Sequence, residues 1–210
     1  MTAVAAAWEV LDLGRRPYGE VWALQKELAA ARARGERGDA LLLVEHEPVY
    51  TRGTSARGEP LGPLPHPVLD VERGGQTTYH GPGQLVAYPI IHLARRGLSV
   101  GALLRGLEGA VIAVLAGLGL EGERRDGATG VWCAGKKVAS EGVAVKGWVS
   151  YHGLALNADV DLAPFAAIRP CGFSPEVMTS LTELKGRRVA PAGLKEPLVR
   201  ELERELFHGA

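Results

Sequence analysis

Residues 53–67 hold Gly53, Gly58, Pro60, Gly62, Pro63, Pro65 and Pro67, so no regular helix or central strand runs through them. They read as an irregular surface loop inside one domain. A second interruption follows at residues 73–84, Arg73-Gly74-Gly75-Gln76-Thr77-Thr78-Tyr79-His80-Gly81-Pro82-Gly83-Gln84, where polar and aromatic side chains sit between four glycines and a proline. Glycine permits positive φ and close approach to a ligand. The N–H groups of such a turn can hold an oxyanion or a carbonyl oxygen. Arg73 adds a fixed positive charge, and His80 a group that ordinarily titrates near neutral pH. Two readings stand: a tight hairpin whose glycines serve only the turn, with Tyr79 in the core, or a ligand-binding loop. The spacing matches neither the Gly-x-x-x-x-Gly-Lys-Ser/Thr phosphate loop nor the dinucleotide pattern.

Around these breaks the apolar periodicity is regular. Val21, Leu24 and Leu28 predict a helix over 19–34. Residues 41–45 form a compact apolar run, a buried strand, and 84–92 a second strand with Val86, Tyr88 and Ile90 alternating. Ser99 caps a helix through Leu103, Leu107, Val111, Val114 and Leu115 that stops near Gly117 or Gly119. Three strands are expected over 129–133, 138–145 and 148–157. Ser174-Pro175-Glu176 starts a helix, with a capping serine, proline at the first position and an acid in the first turn. A last amphipathic helix covers 196–207. Helices and strands do not alternate strictly, so the fold class is α+β, a mixed sheet packed by helices. The 210 residues are read as one domain, 1–210.

Composition removes several function classes. Lys+Arg and Asp+Glu both count 24, so the chain lacks the basic excess of a nucleic-acid protein. Residues 1–8 are apolar but short and without a basic lead, unlike a signal peptide. Arg105 and Glu108 interrupt the helix after Ser99, and no uncharged apolar run approaches a membrane span. The expectation is a cytoplasmic enzyme, in which Cys133 and Cys171 are free thiols.

Cys171 lies in Arg169-Pro170-Cys171-Gly172-Phe173, just ahead of the expected helix start. The positive end of a helix dipole favours thiolate, and Gly172 leaves room for a substrate carbonyl. Cys171 is either a nucleophile or a small apolar core residue. Cys133, inside Gly130-Val131-Trp132-Cys133, reads as structural. In Gly135-Lys136-Lys137-Val138-Ala139-Ser140 the apolar residues that follow put at least one lysine next to the core. A lysine that loses water can accept a proton; a charged one beside a thiol favours thiolate. The alternative, an exposed pair at a strand end, suits Lys136. In Tyr151-His152-Gly153-Leu154-Ala155-Leu156-Asn157, Gly153 marks a close approach by ligand or backbone, and His152 is either a core histidine or a site residue.

These segments, together with Glu45-His46-Glu47-Pro48-Val49-Tyr50-Thr51-Arg52-Gly53, occur in the order found in the octanoyltransferases of lipoate biosynthesis, and the chain resembles that family over about residues 41–184. The resemblance implies a fold like the biotin and lipoyl protein ligases, of class II synthetase type. It implies transfer of octanoyl from acyl carrier protein to a lysine of lipoyl domains in 2-oxoacid dehydrogenases or the glycine cleavage H protein. By position Cys171 matches the acyl-carrying cysteine and Lys137 its partner lysine. Arg73, Gly74, Gly75, Gln76, Thr77, Thr78, Tyr79, His80, Ser140, Glu141, Gly142, Gly153, Leu154 and Ala155 match the substrate-binding segments. Position 141 departs from the family, where an apolar residue is expected, so the lining there is more polar.

The implied chemistry is ping-pong. Cys171 takes the acyl group as a thioester and yields it to an amine, downhill and without ATP, with the donor's phosphopantetheine carried on acyl carrier protein and with no metal or resident cofactor. Rival readings are an ATP-dependent lipoate or octanoate ligase on the same fold, an amidotransferase between lipoyl domains, and a non-catalytic carrier-binding module. The chain has no Gly-Arg-Gly-Arg-x-Gly adenylate loop, which weighs against the ligase.

Overall fold

The structure, a computed structural model, describes residues 8–58, 61–168 and 177–208. The frame is a seven-stranded mixed sheet. In chain order its strands are β1 (Glu9–Arg16), β2 (Ala40–His46), β6 (Gln84–Ile90), β7 (Gly122–Arg125), β8 (Ala128–Cys133), β9 (Lys136–Lys146) and β10 (Val149–Asn157). Their spatial order is β1-β2-β6-β10-β9-β8-β7, with only the β1–β2 pair parallel. A smaller sheet of β3 (Val49–Arg52), β4 (Val68–Asp70) and β5 (Thr77–His80), ordered β4-β3-β5, carries the glycine-rich segment.

Side chains alternate across a strand, and that alternation builds two cores. Leu41, Leu43, Leu85, Ala87, Leu154 and Leu156 face one side, where α2 (Val100–Gly117) and α4 (Lys195–Glu203) cover them. Leu42, Val44, Val86, Tyr88 and Ala155 face the other, under α1 (Tyr18–Arg34). Helix α1 ends on Gly35 at φ 79°, and α2 begins on Ser99, whose hydroxyl accepts from Ala102 N at 3.0 Å. By length and composition α2 is apolar enough to cross a membrane, with mean hydropathy 1.7. Here its Leu103, Leu107, Val111 and Leu115 are buried in the core.

The helices expected over 19–34 and after Ser99, and the strands at 41–45, 84–92, 129–133, 138–145 and 148–157, correspond to observed elements with shifts of a few residues at their ends. The last helix is α4, which passes into a π-helical turn at Arg204–His208. Residues 53–67 hold one short 3-10 turn, Thr54–Ala56, among the described residues. One expectation changes. Residues 73–84 are not a single loop: Thr77–His80 is the fully buried β5, paired antiparallel with β3. The glycines flank it. The expected helix start at Ser174-Pro175-Glu176 lies outside the described residues; α3 (Leu181–Lys185) follows it, capped by Ser180.

Candidate active site

The two adjacent lysines have opposite surroundings. Lys136 is exposed, whereas Lys137 is 0% exposed. Its Nζ donates to Thr129 O at 2.6 Å. The side chain passes over Gly130, where a Cβ would stand 2.7 Å from Lys137 Cε and against Ala139 O. Gly130 also has φ 118°, which favours glycine. The Gly130 N–H donates to Glu108 Oε1 at 3.2 Å, and Arg124 holds the other oxygen of Glu108 at 3.0 Å. On the main-chain side Lys137 bridges Met178, and Thr179 N donates to Lys137 O at 3.0 Å. Thus Lys137 is stitched to the first described residues after 169–176. Cys171, with Gly172, lies outside the described residues. Cys133 is buried, and burial, with Glu121 and Glu123 nearby, pushes its thiol up, away from thiolate.

Above β9 and β10 lies a narrow slot with a cavity volume of about 40 Å³. Arg73, Gly75, Gln76, Thr77, Thr78, His80, Ser140, Glu141, Gly142, Gly153, Leu154 and Ala155 line it. Residues far apart in sequence therefore meet. Gly142 and Gly153 are register partners on β9 and β10, so no side chain rises from that rung. A Cβ on Gly142 would stand 2.8 Å from Gly74 O, and one on Gly153 would strike Ala87 O. Two of the segment's residues lie elsewhere. Gly74 N donates to Val143 O at 3.1 Å and Gly74 borders a neighbouring cleft. Tyr79 turns to the opposite face of β5 and packs on Tyr50 and Phe165, at 5.4 and 5.6 Å between ring centroids.

Sequence reasoning left Tyr18, Tyr88 and His46 out of the site. Tyr18 and Tyr88 line the slot, as does His152. Tyr18 OH is 3.2 Å from His152 Nδ1, and Tyr88 OH is 2.8 Å from His46 Nε2. His46 Nδ1 faces Arg16 O at 3.1 Å, so it carries the proton, and Tyr88 donates to Nε2. His152 sits at φ 58°, unusual for a non-glycine residue within a strand. Its N–H donates to Gln25 Oε1 at 2.7 Å. The Tyr151-His152 dipeptide was a local signal; Tyr18, at the start of a surface helix, gave none.

Burial decides the charge of this cluster. Desolvation lowers His46 and His152 to about 4, and Arg73 adds to the effect on His152. His80 goes well below 6.5 through burial, then the neighbouring His46 and Arg73. The expectation of a near-neutral titration for His80 is therefore corrected: its imidazole is neutral at pH 7. Burial raises Tyr18 to about 12. Arg73 donates to Thr51 O at 2.7 Å and to Gly74 O at 3.0 Å. The slot thus presents neutral aromatic and imidazole groups beside one anchored guanidinium. His80 Nδ1 meets Gln84 Oε1 at 3.1 Å, Gln84 Nε2 donates to Asn157 Oδ1 at 2.9 Å, and Asn157 donates to Thr179 O at 3.0 Å. That chain of bonds ties the slot to the segment stitched to Lys137.

Glu141 stands apart. Both its carboxyl oxygens are buried without a hydrogen-bond partner among the described residues. Burial, then Glu108, push its carboxyl well above the usual range, against the pull of Lys137 and Arg124. Among the described residues no group of three or more His, Cys, Asp or Glu is placed to hold a metal ion.

Comparison with known proteins gives one consistent result. Residues 17–203 match the lipoyl protein ligase A/B catalytic domain. An octanoyltransferase of Syntrophotalea carbinolica is 46% identical over 91% of this chain and 90% of its own length. Octanoyltransferases of Alkalilimnicola ehrlichii and Chloroflexus aggregans are 49% and 44% identical, covering 84% and 92% of this chain and 82% and 92% of theirs. Among solved structures, a bipartite lipoate protein ligase system of Thermoplasma acidophilum aligns at TM-score 0.71 and 17% identity, over 95% of this chain and 83% of that one. The biotin protein ligase of Aquifex aeolicus with biotin and ATP aligns at 0.58 and 14%, over 94% and 70%. At such identities the likeness is one of fold, and that fold is the biotin and lipoyl ligase type.

Proposed function

The chain belongs to the lipoyl protein ligase A/B catalytic-domain family, among its octanoyltransferases, and from that premise we propose that Cys171 carries the octanoyl group as a thioester between acyl carrier protein and an acceptor lysine. It is an acyltransferase of protein lipoylation. In this reading the Cys171 thiolate attacks the donor thioester carbonyl, and the tetrahedral oxyanion collapses with loss of the phosphopantetheine thiolate. The acceptor amine then attacks the acyl-enzyme, gives up a proton, and releases the Cys171 thiolate as an amide forms. Thioester-to-thioester exchange is close to neutral, and thioester-to-amide is downhill, so no ATP enters.

The observation that carries this reading is Lys137. A wholly buried amine, held at Thr129 O, on a residue whose main chain pairs with Met178 and accepts from Thr179 N, is a costly thing to keep in a fold. Beside a thiol its ammonium favours thiolate; after giving its proton to the leaving phosphopantetheine thiolate, the neutral amine can take the proton of the incoming amine. The slot formed by Gly142, Gly153, Leu154 and Ala155 then receives the tail. Burying an octanoyl tail at about 0.8 kcal/mol per CH₂ gains roughly 5 kcal/mol. The acceptors in this reading are lipoyl domains of 2-oxoacid dehydrogenases and the glycine cleavage H protein, and the compartment is the cytoplasm.

Incubation with octanoyl acyl carrier protein and an intact-mass measurement test the proposal. The expected result is one thiol-labile octanoyl adduct, absent in Cys171→Ser. The same adduct on Cys171→Ser overturns the assignment. Turnover that needs free octanoate and ATP would instead favour the ligase reading.

A further inference from the structure

We infer that the cleft next to the slot receives the amide-bearing arm of the thioester donor, and that the Glu141 carboxyl hydrogen-bonds an amide of that arm. The inference rests on the acyl-enzyme reading above and extends it to the leaving side of the donor.

The direction of Glu141 follows from register. It pairs with Leu154, which belongs to the core under α2, so both side chains project to the α2 side of the sheet. There a cleft of about 360 Å³ opens, walled by Val100 and Leu104 of α2, Thr129 and Val143. The cleft shares Gly75, Gln76, Glu141 and Gly142 with the slot, so the two spaces meet along one border. Thr129, whose carbonyl holds Lys137 Nζ, lines the cleft. A thioester at the border would send its acyl tail into the slot and its thiol arm into the cleft, with its carbonyl towards the Lys137 end.

The chemistry of Glu141 selects the occupant. A buried carboxyl with neither oxygen bonded is expensive, and native folds keep few such groups without a use. Its neighbour Glu108 is already bonded to Gly130 N and Arg124, so Glu108 does not satisfy it. Burial, then Glu108, push the Glu141 carboxyl towards its acid form, against Lys137 and Arg124. A neutral carboxylic acid has a donor O–H beside an acceptor C=O. That pair is the complement of an amide, which offers C=O and N–H. Apolar walls with one such group suit a flexible chain of methylenes and amides better than a free ion.

The test compares donors rather than one rate. S-octanoyl pantetheine (two amides), S-octanoyl-N-acetylcysteamine (one) and S-octanoyl ethanethiol (none) are each offered to wild type, Glu141→Leu and Glu141→Gln. Loading of Cys171 is followed by mass. In Glu141→Leu the kcat/KM preference for amide-bearing over amide-free donor falls about tenfold, as expected for loss of a buried hydrogen bond. Glu141→Gln, which also donates and accepts, keeps most of that preference. A preference unchanged in Glu141→Leu overturns the inference, as does an equal drop in both variants. If wild type is loaded by none of the three nor by acyl carrier protein, the acyl-enzyme reading itself falls, a result distinct from a lost preference.

Discussion

Two buried polar regions lie on opposite faces of the main sheet, and they are built on different terms. Under α1, His46 bonds to Tyr88, His80 bonds through Gln84 to Asn157, and the imidazoles are neutral. Under α2, Lys137 and Glu108 are bonded but Glu141 is not. Among the described residues the first region leaves Gln25 Nε2, His152 Nε2 and the Thr77 hydroxyl unbonded, but the Gln25 and His152 side chains are each held by their other polar atom. The second has a carboxyl with nothing to bond, and a region of that kind is where a ligand completes the structure.

The two regions also carry opposite pH signatures. A histidine lowered from 6.5 to about 4 leaves the unfolded chain binding more protons between those values, so stability rises with pH there and is lost on acidification. A carboxyl raised above 4.5 does the reverse: the unfolded chain releases its proton first, and stability is lost as pH rises. The largest expected effect is therefore acid lability. Urea unfolding between pH 6.5 and 4 should lose roughly 3 kcal/mol for each of His46 and His152. A flat profile across that window would erase the contrast. Next in size, Lys137→Ala should slow octanoyl loading of Cys171 about 100- to 1,000-fold while leaving the acid limb of unfolding where it was. If the loading rate holds, Lys137 has no part in the chemistry. Gly130→Ala asks whether the lysine's path matters: the added methyl meets Lys137 Cε, and loading should fall roughly tenfold, since a small displacement of a catalytic group is costly.

The difference between the faces also explains what the sequence could reveal. Helices α1 and α2 and the central strands were legible because their apolar residues repeat with period 3.6 or 2. Strand β1 was not, since Glu9, Asp12, Arg15 and Arg16 interrupt any alternation on an edge that faces solvent, and β7 is likewise charged. β5 hid among glycines that serve its two ends. In the site, Arg73, His80, Gly142 and Gly153 were found as a pattern of residue types, but their meeting depends on the register of β9 with β10 and the packing of the small sheet. Nothing near Tyr18 in sequence announces that its hydroxyl reaches His152, which lies 134 positions away. The charge of His80 was misjudged for a related reason: residue type gives the intrinsic value, and only three-dimensional burial sets the shift. For Glu141 the sequence did mark an acid where an apolar residue is expected, and the structure adds that the acid has no partner among the described residues.

The smallest effect bears on that same acid, and it separates a structural role from a functional one. Replacing an unpartnered buried carboxyl by an apolar side chain of similar volume removes a desolvation cost and leaves no orphan behind. Glu141→Leu should therefore raise the free energy of unfolding by about 1–2 kcal/mol near pH 8, and by less at pH 5, where the unfolded carboxyl is itself partly protonated. The ordinary outcome for a buried residue that serves the fold is the opposite sign. A Glu141→Leu variant less stable than wild type at pH 8 would mean that the carboxyl has a partner in the resting protein, and the two faces of the sheet would then be built on the same terms. A more stable variant with a weakened donor preference is the pattern of a group retained at a cost to the fold for the sake of a ligand.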